Sequence, residues 1–232
     1  MHATYCGPAP LPGELATSWN LDPILLAALF ALGVGLRRDR AGLAGVAVLA
    51  IAFVSPLCAL SAALFSARVV HHVLLIAVAA PLLALAVPAR RPAGIVIPFL
   101  VSTAVLWIWH IPAAYDAALA NIPIYWVMQI SLLGSAVLFW RAVLAGDGAP
   151  VDRLGFVIAA FAQMGLLGAL LTFAPTSLYA AHSFAPLAWG MTPLEDQALG
   201  GLIMWAPAGI PYAIATIWIA RQGWSRLKAT RA

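Results

Sequence analysis

Seven stretches of this chain are apolar runs long enough, or nearly long enough, to cross a lipid bilayer as helix. A hydrocarbon core of about 30 Å takes about 20 helical residues. The runs are Leu21 to Leu36, Gly42 to Phe65, Val69 to Val87, Ala93 to Ile111, Pro123 to Leu144, Leu154 to Phe173 and Pro193 to Ala220. They are continuous rather than alternating, which excludes the strands of a barrel wall. With 64% hydrophobic and 9% charged residues and a mean hydropathy of +0.98, the chain lies outside the range of soluble domains. The expectation is an all-α polytopic transmembrane bundle of seven helices. Residues 1–20 form an extracytoplasmic arm, 21–220 the membrane domain and 221–232 a basic tail. The first run is the shortest, ending after sixteen residues at Arg37.

Orientation follows from the basic residues. Arg37, Arg38, Arg40, Arg90, Arg91, Arg141, Arg153, Arg221, Arg226, Lys228 and Arg231, eleven of the twelve, fall on one side of the predicted topology, and only Arg68 on the other. The positive-inside rule makes that side cytoplasmic, so the N-terminus lies outside and the C-terminus inside. The pI near 9.5 therefore reflects topology and not nucleic-acid binding, for which there is no basic stripe. The arm has no basic n-region and no compact apolar core, and does not read as a cleaved signal peptide. Cys6 in the arm and Cys58 near the end of the second run carry no motif; they are read as two unconnected thiols, ahead of a disulfide or a soft-metal pair.

Polar chemistry gathers at the outer end. Glu14, Asp22, Asp116, Glu195 and Asp196 map there, as do all five histidines: His2, His71, His72, His110 and His182. His71 and His72 are placed in the first turn of the third run. Adjacent residues stand about 100° apart on a helix, so one is expected to face the bundle while the other snorkels; His72 shares its face with Arg68. In "WIWHIPAAYDAAL", Pro112 should end or bend the helix at Ile111, turning His110, Tyr115 and Asp116 around a corner. Trp107, Trp109 and Tyr115 also suit an interfacial belt. In "MTPLEDQALGGLIMW", Thr192, Pro193 and Glu195 predict a capping box. Gln197, Gly201 and Met204 then share one face, while Asp196 either neutralises the helix N-terminus or serves a site. Gln129 and Gln163 read as interhelical hydrogen-bonding residues. No lysine lies in any run, which argues against a Schiff base, and no phosphate loop or serine nucleophile motif is present.

The ordered motifs "HHVLL", "APLLAL", "WHIPAAYDAAL", "GSAVLFW" and "PLEDQALGGLIMW" resemble the polytopic cytochrome c oxidase assembly factor family CtaG, from about Phe65 to Pro211. The resemblance implies a seven-helix protein of the bacterial inner membrane. It also implies a non-enzymatic role in maturing a haem-copper oxidase subunit, with copper as the metal delivered. His72, Trp109, His110, Pro112, Tyr115, Asp196, Gln197, Met204 and Trp205 match the family pattern; Arg68, Tyr125 and Gln129 depart from it where further histidines are common. The expected metal site is His71 or His72 with His110, completed by Asp116, Asp196 or Met204 and supported by Trp109, Tyr115 and Gln197. It requires the third, fourth and seventh runs to adjoin. Imidazole suits several metals, so these residue types alone do not select copper. The partners expected are an oxidase subunit and the bilayer, with a homo-oligomer left open. The alternatives are a metal-free scaffold for oxidase assembly, a b-type haem protein with His71 or His72 and His110 as axial ligands, and a histidine-gated carrier. The nearly apolar inner halves of the runs disfavour the last.

Overall fold

In the structure, a computed structural model describing residues 4–86, 94–145 and 149–229, most helix starts and breaks fall at a signal visible in the chain, α4 being an exception. His2, Arg90, Arg91 and Arg231 lie outside the described residues. Helix α1 (Pro23–Gly35) opens on a proline behind Asp22, whose carboxylate accepts from Ile24 N at 2.7 Å and Leu25 N at 3.3 Å. Its 13 residues rise about 20 Å, short of a bilayer core.

The second run is two helices, α2 (Arg40–Val54) and α3 (Pro56–Ala63), bent by 49°; the fourth is α6 (Val96–Trp109) and α7 (Pro112–Ala120), bent by 75°. Both breaks sit at a residue preceding proline, Ser55 and Ile111, each extended as that position demands. The third run spans Phe65–Ala86, made of α4 (Phe65–Val73), a π-helical segment (Leu74–Ala79) and α5 (Ala80–Ala86). Widening the helix frees backbone carbonyls from the regular ladder. Trp140 of α8 (Ile122–Ala145) donates its indole N–H to Ile76 O at 2.8 Å there. The remaining helices are α9 (Pro150–Thr172), α10 (Pro193–Trp205) and α11 (Gly209–Ala229).

Among the described residues, four helices are long and apolar enough to cross a membrane, and six if each bent pair is one span; α1 is a further, shorter apolar helix. The core is built on close approaches. A Cβ on Gly168 of α9 would lie 2.7 Å from Gly201 O of α10, and one on Gly200 2.7 Å from the Phe65 ring of α4. Those glycines let α10 lie against both α9 and α4, so the third and seventh runs adjoin; the fourth meets the third where the ring centroids of Phe65 of α4 and Tyr115 of α7 lie 5.7 Å apart. At the opposite end Arg153 donates to Val143 O and Gln222 Oε1, tying α8, α9 and α11 together.

Candidate functional site at the histidine-bearing end

The predicted site residues gather toward one end, but the side chains of Asp116, Asp196, Gln197 and His110 are engaged with backbone. The Thr192–Glu195 capping box forms as expected and starts α10. One residue on, Asp196 is fully buried and turned toward α4. Its Oδ2 accepts from Phe65 N at 2.6 Å and its Oδ1 from Ser66 N at 3.0 Å and Ser66 Oγ at 2.5 Å. No residue of α4 itself caps these amides, so Asp196 is the cap of a helix about 130 residues earlier. Gln197 Oε1 accepts from Leu178 N at 2.7 Å, and its Nε2 donates to Leu171 O at 3.2 Å, pinning the chain that leaves α9. Asp116 accepts from Ala180 N and Ala181 N and caps the short 3₁₀ turn Ala180–His182.

That turn delivers His182, a residue whose loop position marked it only as outer. It is buried, with Nδ1 3.2 Å from Ala63 O and Nε2 2.8 Å from Tyr115 Oη. The carbonyl fixes Nδ1 as the protonated nitrogen, so Nε2 accepts from the tyrosine hydroxyl. Burial pushes the His182 pKa down to about 4, with the Arg68 charge adding to the shift and the Ala63 carbonyl opposing it. The folded protein therefore refuses a proton that the unfolded chain accepts below pH 6.5. Stability is complete above that pH and falls as pH drops toward 4, by up to about 3 kcal/mol. In thermal unfolding against pH, His182→Gln should flatten this decline; an unchanged slope would remove His182 as its source.

His110 closes the corner as foreseen. Its Nδ1 donates to Leu106 O at 2.7 Å, which leaves Nε2 as the basic nitrogen, and its carbonyl accepts from Tyr179 Oη at 3.1 Å. The neighbouring tryptophans are not a simple belt: Trp107 Nε1 donates to Gln163 Oε1 and Trp109 Nε1 to Ser131 Oγ, holding α6 to α9 and α8.

His71 and His72 lie in the second turn of α4, not the first, because the helix begins at Phe65 where Asp196 caps it. Neither snorkels: both are buried, at 0% and 5% exposure. His71 packs edge-on to Phe53 of α2, ring centroids 4.8 Å apart. His72 Nε2 lies 3.5 Å from Gln129 Nε2. Arg68, one turn before His72, sends Nε to Ser61 O and lays its guanidinium 5.4 Å from the Tyr125 ring centroid. Arg68 and Gln129 thus lie beside the two histidines, with Tyr125 against Arg68. Among the described residues, Arg68 Nη1 and Nη2, both His71 nitrogens and Gln129 Oε1 have no hydrogen-bond partner of good geometry.

Above this cluster the arm is tied down. Cys6 and Cys58 form a disulfide, so the expectation of two unconnected thiols is wrong; the arm folds back over α3 and α8, a proximity invisible in a 52-residue separation. Tyr5 then stacks on Tyr125, meets Trp126 edge-on and donates to Asp22 Oδ2 at 2.9 Å. This bond and the capped amides hold the Asp22 carboxyl below its usual range.

As a metal site the predicted set is only partly assembled. Asp196 and Asp116 are occupied by backbone amides, and Met204 lies on the α9 side of α10, where its Cβ faces Gly168. No group of three or more His, Cys, Asp or Glu side chains among the described residues is arranged to hold an ion. What stands free of structural duty is the histidine set beside Arg68.

The family model described as cytochrome c oxidase caa3 assembly factor (Caa3_CtaG) matches residues 28–93 and 91–226. No curated protein and no solved structure matches the chain. Because the match runs through nearly the whole membrane domain, including both proline corners and the α10 motif, the chain belongs to the caa3-type CtaG family of cytochrome c oxidase assembly factors.

Proposed function

We propose that the chain acts as a non-enzymatic assembly factor for a haem-copper oxidase in the bacterial inner membrane. It crosses seven times, with its N-terminus outside. Two independent features support that orientation: the arginine-rich loops at one end, and a disulfide at the other, where an oxidising compartment would preserve it. The short α1 makes its crossing with help from flanking residues or local thinning of the bilayer.

On this reading copper is cargo, received by His72 and His110 with His71 beside them. The observation that carries it is the second-nitrogen arrangement of His110. Donation from Nδ1 to Leu106 O orients the ring and presents Nε2, as ligating histidines require. Two or three neutral imidazoles without a carboxylate suit a soft, low-coordinate Cu(I) ion better than tetrahedral Zn²⁺. A second reading, a scaffold that docks an oxidase subunit without metal, is favoured by the Arg68 guanidinium, which raises the cost of a cation among these histidines.

The test is copper per chain in detergent-purified protein equilibrated with Cu(I) under ascorbate and then dialysed. His72→Ala and His110→Ala should each lose most of the copper bound by the wild type. If the wild type carries none, or both variants retain it, the copper reading falls and the scaffold reading stands.

A further inference from the structure

A crevice of about 540 Å³ separates α1 from the rest of the bundle. Its walls are Leu29 of α1, Phe53 of α2, and Trp126, Gln129 and Leu133 of α8, with Tyr5 and Asp22 at the outer rim. It opens toward lipid: Ile24 and Ile130 at its mouth are 80% and 66% exposed. The volume is that of a small-molecule site, about 300–1,000 Å³.

The inner wall is apolar except at Gln129. This residue is 1% exposed and its Oε1 has no partner among the described residues, while its Nε2 faces His72. A buried amide group without a partner is costly in an apolar surrounding. We infer that the crevice binds a neutral, single-chain membrane amphiphile with a hydroxyl head, its chain between α1 and α8 and its hydroxyl against the Gln129 amide. A hydroxyl both donates and accepts, so it complements the amide whichever end is presented. An anionic head is disfavoured by the Asp22 carboxylate at the rim, and the crevice wall offers no cation to offset it.

The test uses displacement of tritiated oleyl alcohol from detergent-solubilised full-length protein by oleyl alcohol, 1-octadecene or oleate. Wild type should bind the alcohol, with the alkene and the carboxylate at least about tenfold weaker, the worth of one hydrogen bond in a dry site. Gln129→Leu should bring alcohol and alkene to equal affinity. Ala28→Trp should abolish binding of both by filling the crevice from an exposed position on α1, where a larger side chain does not disturb the core. The inference is overturned if wild type does not bind the alcohol, if the preference for alcohol survives Gln129→Leu, or if Ala28→Trp binds as wild type does. A dimer that shields Trp126 with no alcohol bound would likewise overturn it.

Discussion

Replacing Asp196 by alanine should be among the most damaging single changes at the histidine-bearing end, lowering stability by about 3–5 kcal/mol. The carboxylate is fully buried and accepts three hydrogen bonds from the first residues of α4. Removing it leaves two backbone N–H groups in a dry interior, each an unsatisfied donor costing about 1–3 kcal/mol, and takes away the negative charge that complements the α4 N-terminus. Because α4 carries Arg68, His71 and His72, fraying of its first turn should also loosen the histidine cluster. Asp196→Asn keeps one acceptor oxygen and should lie between wild type and Asp196→Ala in thermal unfolding. A metal-ligand role predicts a different pattern: both variants would keep wild-type stability in metal-free buffer and lose only copper. That pattern would reject the capping account.

The second large effect concerns the arm. Cys6→Ser, or reduction of the wild type, opens a 52-residue loop, for which chain entropy sets a loss of up to about 4 kcal/mol. The loop includes α1 and α2, and whatever helical order they keep in the unfolded state lowers the loss below that figure. Freed from α3, the arm would give up the Tyr5 stack on Tyr125, its edge contact with Trp126 and the Tyr5–Asp22 bond. The measurements are unfolding temperature in detergent with and without reductant, and limited proteolysis of the arm. An arm that stays protected in Cys6→Ser, with unchanged stability, would mean that the aromatic contacts alone hold it.

The legibility of this chain divides by how far each signal reaches. Pro112 announced the corner at His110, and Thr192 with Glu195 announced the start of α10, because both act within one turn of their own helix. Pro56 carries the same information at the break between α2 and α3, but it lies inside a run whose continuous hydropathy reads as one straight helix. His71 and His72 lie one turn deeper than their apolar run predicts because the start of α4 is decided by Asp196 rather than by a cap of its own. The role of His182 had no local signal, since both its partners, Ala63 and Tyr115, lie far away in the chain.

The sequence by itself determined that this chain is a helical membrane bundle, which end carries the arginines, which end gathers the acids and histidines, and where two of its helices must begin or turn. These follow from the cost of polar groups in hydrocarbon and from the missing amide of proline, both properties of a residue and its immediate neighbours. Tertiary structure alone decided what each outer polar group does. Asp196 and Asp116 could have faced an ion and instead face helix ends, and Cys6 found Cys58. The reason is that a buried polar group must be satisfied by a donor close in space. For Asp196 that donor lies 131 residues away along the chain, a distance over which no local pattern can choose a partner.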